Sequence, residues 1–150
     1  LQAMRPGDTI IDDCLPGRHT DVKADLKASI NANNPDRVIV LLGVNDHGHL
    51  GESDPNQTAK RLRTLGATIR NNGASEVILT PLPSLASLQE FTRMVGERLY
   101  VRNGSGTTFT VLPARDLFTT LPWNDCTSDG IHITNGVCRW WLAVYINARL

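Results

Sequence analysis

The chain has 150 residues, 41% of them hydrophobic and 20% charged, enough apolar material to expect one globular domain spanning residues 1–150. Fifteen basic residues balance fifteen acidic ones and no basic run occurs, so neither nucleic acid nor an anionic membrane surface is favoured, and a small-molecule partner is expected. Apolar runs such as Val38 to Leu42 are far too short for a membrane span, and the first residues lack a signal peptide's charged and apolar regions, which leaves localisation open between cytoplasmic and secreted.

Leu1 to Arg5 reads as the tail of a helix, so the chain is expected to begin inside an element whose preceding strand is absent. Thr9 to Cys14 reads as a short strand. After the turn at Leu15-Pro16-Gly17, Val22, Leu26 and Ile30 recur at four-residue spacing, which predicts a helix stopped by Asn33-Asn34-Pro35. Arg37 to Leu42 has almost no polar alternation and suits a strand buried on both faces of a parallel sheet, expected at its centre. His47 to Asn56 reads as a polar loop. Leu62, Leu65 and Ile69 then mark a second helix, ending at Asn71-Asn72-Gly73.

Glu76 to Thr80 is the next strand, ended by Pro81-Leu82-Pro83. Leu85, Leu88, Phe91, Val95 and Leu99 lay out a long helix. Thr108 to Leu112 is expected as the last strand, Pro113 to Ser128 as a long loop with a short helix, and Gly136 to Arg149 as a terminal helix carrying Trp140 and Trp141. Apolar strands alternating with amphipathic helices predict an α/β fold with a mainly parallel sheet covered by helices on both faces. Cys14, Cys126 and Cys138 form neither an even framework nor a C-x-x-C pair and read mainly as buried small hydrophobes; a bridge between Cys126 and Cys138 is the alternative in an oxidising compartment.

Three short segments lie where the chain leaves predicted strands, the end of an α/β sheet at which ligands bind. Gly17 can offer its backbone N–H to a ligand at close approach, although taken alone it is better explained as a plain turn glycine. In Gly43-Val44-Asn45-Asp46, a side-chain amide fixed at a strand terminus can stabilise a developing oxyanion; alone, the Asn-Asp pair reads as caps of the following helix. In Asp129-Gly130-Ile131-His132, the carboxylate can set the imidazole tautomer and leave the other ring nitrogen as general base, whereas a surface histidine near an acid is the bland alternative. His47-Gly48-His49 lacks a third ligand at useful spacing and reads as a solvated or substrate-facing loop rather than a metal site; Leu82, Pro83 and Trp123 are expected with it around the substrate.

Taken together, a glycine, then G-x-N-D after a buried strand, then D-x-x-H before the last helix resemble blocks II, III and V of the SGNH (GDSL-like) hydrolase superfamily across nearly the whole chain. Gly17 precedes Asn45 by 28 residues, and Asn45 precedes Asp129 by 84. The resemblance implies a three-layer α/β/α sandwich whose first strand is missing here. It also implies a serine ester hydrolase acting on a carboxylic or acetyl ester through an acyl-enzyme. Gly17 and Asn45 would form the oxyanion hole, His132 would be the general base, Asp129 its orienting acid, and Gly43 the turn that presents Asn45. No metal or organic cofactor is implied.

The departure is at the nucleophile. The family's G-D-S segment follows the first strand, and nothing in these residues matches it: Gly7-Asp8-Thr9 enters a predicted strand instead of leaving one, and neither Ser84 nor Ser128 sits in a strand-to-helix elbow. The expected serine therefore lies outside this chain. The rival reading is a non-catalytic fragment or pseudoenzyme with the cleft but no nucleophile. Nucleotide binding on a Rossmann-like sheet is disfavoured, because no G-x-G-x-x-G or Walker segment follows a strand. The missing strand would lie between Thr9–Cys14 and Arg37–Leu42, so either an upstream segment completes the sheet or the chain self-associates through the gap.

Overall fold

The computed structural model describes residues 4–12, 17–51, 53–81, 89–101, 109–112, 125–126, 133–148 and 150. Helix α1 (Lys23–Asn33) forms where Leu26 and Ile30 turn one face inward. It ends at Asn34, whose φ of 43° is the left-handed conformation that asparagine tolerates, with its N–H donating to the Ile30 carbonyl. Pro35 then bars further helix, and strand β1 (Arg37–Leu42) follows.

Gly43, with φ 123°, turns the chain from β1 directly into the short helix α2 (Val44–Leu50), stopped at Gly51 (φ 64°). Much of the polar loop expected over His47 to Asn56 is thus helical. Asn45 to His49 carries no apolar stripe, so hydrophobic spacing does not reveal this helix. Helix α3 (Pro55–Asn71) starts with proline in its first turn and the Asp54 carboxylate accepting the Asn56 N–H at 2.9 Å. Its buried face is Ala59, Leu62, Leu65 and Ile69.

Strand β2 (Glu76–Pro81) pairs in parallel with β1, from Arg37 opposite Glu76 to Leu42 opposite Pro81. The Arg37 guanidinium pairs with the Glu76 carboxylate across the first rung. Helix α4 (Gln89–Val101) leads towards strand β3 (Thr110–Val111), parallel to β2. Helix α5 (Gly136–Asn147) is capped by Asn135, which accepts the Val137 N–H at 2.8 Å.

The described strands make a three-stranded parallel sheet in the order β1-β2-β3 within a mixed α/β fold. Side chains alternate across a strand, and β2 shows it. Val77 and Leu79 join Ile30 of α1, Leu62, Leu65 and Ile69 of α3, and Val95 and Leu99 of α4 in the main core. Ile78 instead joins Leu112 and Ile146 of α5, with Ile39 and Leu41 packed against them. Both faces of β2 are therefore apolar and buried, as a parallel sheet requires.

Among the described residues β2 is the central strand and β1 lies at the edge, a correction to the position expected for Arg37 to Leu42. Only Val40 in β1 is fully buried, because an edge strand lacks a neighbour on one side. Residues 9–12 form no strand: Ile10 and Ile11 are 42% and 50% exposed. An apolar pair beside Asp12 takes strand geometry as a member of a sheet, and the described sheet comprises β1, β2 and β3. Cys126 and Cys138 are joined by a disulfide with Cα atoms 5.5 Å apart, which replaces their reading as free buried thiols. Residues 1–3, Cys14, Leu85, Leu88 and most of 113–128, for which the sequence also raised expectations, lie outside the described residues.

Candidate functional site

The carboxyl end of β1 delivers Gly43, Asn45 and Asp46 within four residues. Gly43 is needed at its position twice over. Its φ of 123° is one that side chains rarely adopt, and a Cβ there would lie 3.3 Å from Thr58 Cγ2 and 3.7 Å from Leu62 Cδ1. The strand can therefore turn against α3 without a side chain in the way, and Asn45 and Asp46 emerge at the start of α2.

Neither of these side chains is spent on capping that helix. The Asn45 amide donates through Nδ2 to the Arg18 carbonyl at 2.9 Å, although the two residues are 27 apart in sequence. The Asp46 carboxylate, 0% exposed, accepts the Thr20 N–H at 2.9 Å on Oδ1. Its Oδ2 accepts the Thr20 hydroxyl at 2.5 Å and the Thr58 hydroxyl at 3.1 Å, with the Arg61 guanidinium at 3.5 Å. A buried carboxylate is tolerated only when its lone pairs are taken up and its charge is balanced. Thr20, Thr58 and Arg61 do both.

The effect is to hold residues 18 and 20 against residues 45 and 46. Gly17, one residue before this pair of attachments, has φ 74°, and a Cβ there would meet nothing within 4 Å among the described residues. Its glycine is therefore a matter of backbone conformation, on the open side of the segment. An amide group carries two hydrogens, so the bond from Asn45 to Arg18 leaves a second donor on the same nitrogen. The Asn45–Arg18 bond thus brings the segment that follows Gly17 to the carboxyl end of β1.

Between the two attachments, His19 Nδ1 lies 2.7 Å from Asp21 Oδ1. The hydrogen bond with His19 holds the Asp21 carboxyl below its ordinary range. His47, half-buried on α2, packs its ring 4.8 Å from that of Phe91. This places the ring against α4.

Asp129 and His132 lie in segment 127–132, outside the described residues, as do Leu82, Pro83, Ser84, Trp123 and Ser128. The residues flanking that segment are joined to one another. The Cys126 carbonyl accepts the Thr134 N–H at 3.0 Å and the Asn135 N–H at 3.2 Å. The Cys126–Cys138 bridge ties the same point to the first turn of α5. Asn135 Nδ2 also donates to the Asp125 carbonyl at 3.2 Å.

Sequence reasoning overlooked Asp46, Thr20 and Thr58. Asp46 stood in the motif but read as a helix cap, and nothing in the spacing of the two threonines singles them out. Compared with known proteins, the chain matches no protein-family model and no curated protein.

Proposed function

We propose that the chain is the greater part of an SGNH-type serine ester hydrolase, a three-layer α/β/α sandwich that cleaves a small carboxylic or acetyl ester. The observation that carries this reading is the bond from the Asn45 amide to the Arg18 carbonyl. It joins two motif segments far apart in sequence at the end of a parallel strand, where such a hydrolase gathers its oxyanion donors.

In this reading a serine supplied from outside these residues attacks the ester carbonyl, and His132 takes its proton. Asp129 holds the imidazole in the required tautomer and stabilises the imidazolium. The carbonyl oxygen becomes an oxyanion that receives the Gly17 N–H and the free hydrogen of the Asn45 amide. His132 then returns the proton to the leaving alcohol, and water releases the acid by the same steps in reverse. The linked flanks of segment 127–132 support the reading, since a general base must be held to within a fraction of an ångström of its partner.

The test is a fluorophosphonate probe applied to the protein expressed from its complete reading frame, with the labelled residue located by mass spectrometry. Labelling of one serine, abolished in His132→Ala, is expected. In the same protein Asn45→Ala should lower kcat for a p-nitrophenyl ester by about a hundredfold, the loss typical of one oxyanion donor. A protein that stays unlabelled and inert would instead be a binding module. Unchanged turnover in Asn45→Ala would remove Asn45 from the oxyanion hole.

A further inference from the structure

The proposed reaction does not use the most deeply buried acid among the described residues. Asp46 is 0% exposed and engages both carboxylate oxygens, yet it has no proton to give or take in ester hydrolysis. A buried charge costs stability unless it is fully paired, so a side chain that serves only to fill space would be better apolar. What Asp46 does with its charge is specific. It reaches back 26 residues to grip Thr20 by backbone and hydroxyl together, and the oxygen that accepts the Thr20 hydroxyl also accepts that of Thr58 on α3.

We infer that Asp46 is a positioning residue, which straps residues 17–20 against Asn45 so that the Gly17 N–H and the Asn45 amide form one anion-accepting pair. This deepens the hydrolase reading and rests on it for the anion's identity.

The Asn45 amide is one attachment between the end of β1 and the segment after Gly17, and the grip of Asp46 on Thr20 is another. Without the grip of Asp46, more of the hold on the segment would fall on Asn45, which in this reading must also donate to the oxyanion. An amide that must flex to do the first cannot be preorganised for the second, and electrostatic stabilisation depends on donors that do not reorganise. Asp46 takes the mechanical load, and Thr58 with Arg61 anchors that load to α3. His19, between the two attachments, is carried along with its Asp21 partner.

The experiment uses the complete protein in four forms: wild type, Asp46→Ala, Thr20→Val and Thr20→Ser. Two readouts are taken, ester kinetics and an NMR record of the Thr20 amide and the Asn45 side-chain amide. Asp46→Ala should raise the exchange rate of the Thr20 amide by at least about tenfold, as expected when a buried hydrogen bond to a charged group is lost. It should also move the Asn45 Nδ2 resonances and lower kcat by about a hundredfold, the cost of a displacement of roughly 1 Å. KM should change by less than about threefold, because the interaction lost acts in the transition state.

Thr20→Val should lower kcat by about tenfold, as the loss of one hydrogen bond in the strap predicts. Thr20→Ser, which keeps the hydroxyl, should restore it. A merely structural Asp46 would lower stability while leaving the kcat of the folded fraction and the Asn45 resonances unchanged, and that result overturns the inference. If Asp46→Ala does not fold, the threonine pair decides alone: equal kcat and equal Asn45 resonances in Val and Ser overturn it. If wild type hydrolyses no ester, the hydrolase reading fails, and the Asn45 resonances still show whether the strap positions that amide.

Discussion

The Cys126–Cys138 bridge closes a loop with a sequence separation of 12. In the chain-entropy account, cross-linking a loop of that size removes enough freedom from the unfolded chain to stabilise the native state by about 3 kcal/mol. For a domain of this size that corresponds to a fall in Tm of about 6–12 °C on losing the bridge. The perturbation of choice is the double variant Cys126→Ala/Cys138→Ala. Both positions are buried against Ile133, Leu142 and Tyr145, so serine would add the cost of burying two hydroxyls.

Removal of the sulfur atoms from that apolar cluster adds a packing loss of its own, about 1 kcal/mol per site. Thermal unfolding of wild type with and without a phosphine reductant separates the two contributions, since the reductant breaks only the cross-link. The expected order of Tm is oxidised wild type, then reduced wild type, then the double variant, with the last unaffected by reductant. A reduced wild type within about 1 kcal/mol of the oxidised protein would refute the loop-entropy reasoning. It would mean that the reduced unfolded chain already keeps this loop nearly closed through residual structure.

Gly43→Ala should destabilise by about 1–3 kcal/mol, since the residue must hold φ 123° while its Cβ presses on Thr58; chemical denaturation reads this, and a variant as stable as wild type would show that the turn relaxes freely. The hydrogen bonds from the Asn56 backbone N–H and side chain hold the Asp54 carboxyl below its ordinary range. A depressed folded value means that this cap stabilises α3 above the unfolded carboxyl's titration and is lost as pH falls through the folded one. Amide exchange at residues 56–58 should accelerate in that acid window in wild type and show no such step in Asp54→Ala; an Asp54 titrating at or above an ordinary aspartate would contradict the cap.

Some features of the molecule were written in local order. Leu62, Leu65 and Ile69 fall on one face of any helix they join, and Asn72-Gly73 ends it, so α3 was legible from spacing and turn chemistry alone. The same holds for α1, for the extent of β1, for the start of β2 and for the α/β class, because each depends on neighbours a few residues away. Gly43 was legible as a turn glycine for the same reason.

What the tertiary structure decided involves partners distant in the chain. The run Arg37 to Leu42 is equally apolar at the centre or the edge of a sheet; the pairing of β2 with both β1 and β3 sets β1 at the edge among the described strands. A cysteine spacing of 12 fits either two thiols or a bridge, and the outcome rests on the docking of α5 bringing the two Cα atoms to 5.5 Å. Asn45 and Asp46 looked like helix caps because short polar side chains do satisfy nearby N–H groups in most sequences. Here α2 starts from a glycine turn against α3 that points both side chains at residues 18 and 20. A hydrogen bond is a contact of about 3 Å whose formation depends on where the backbone carries its two ends. For ends more than twenty residues apart, that is a property of the folded chain as a whole.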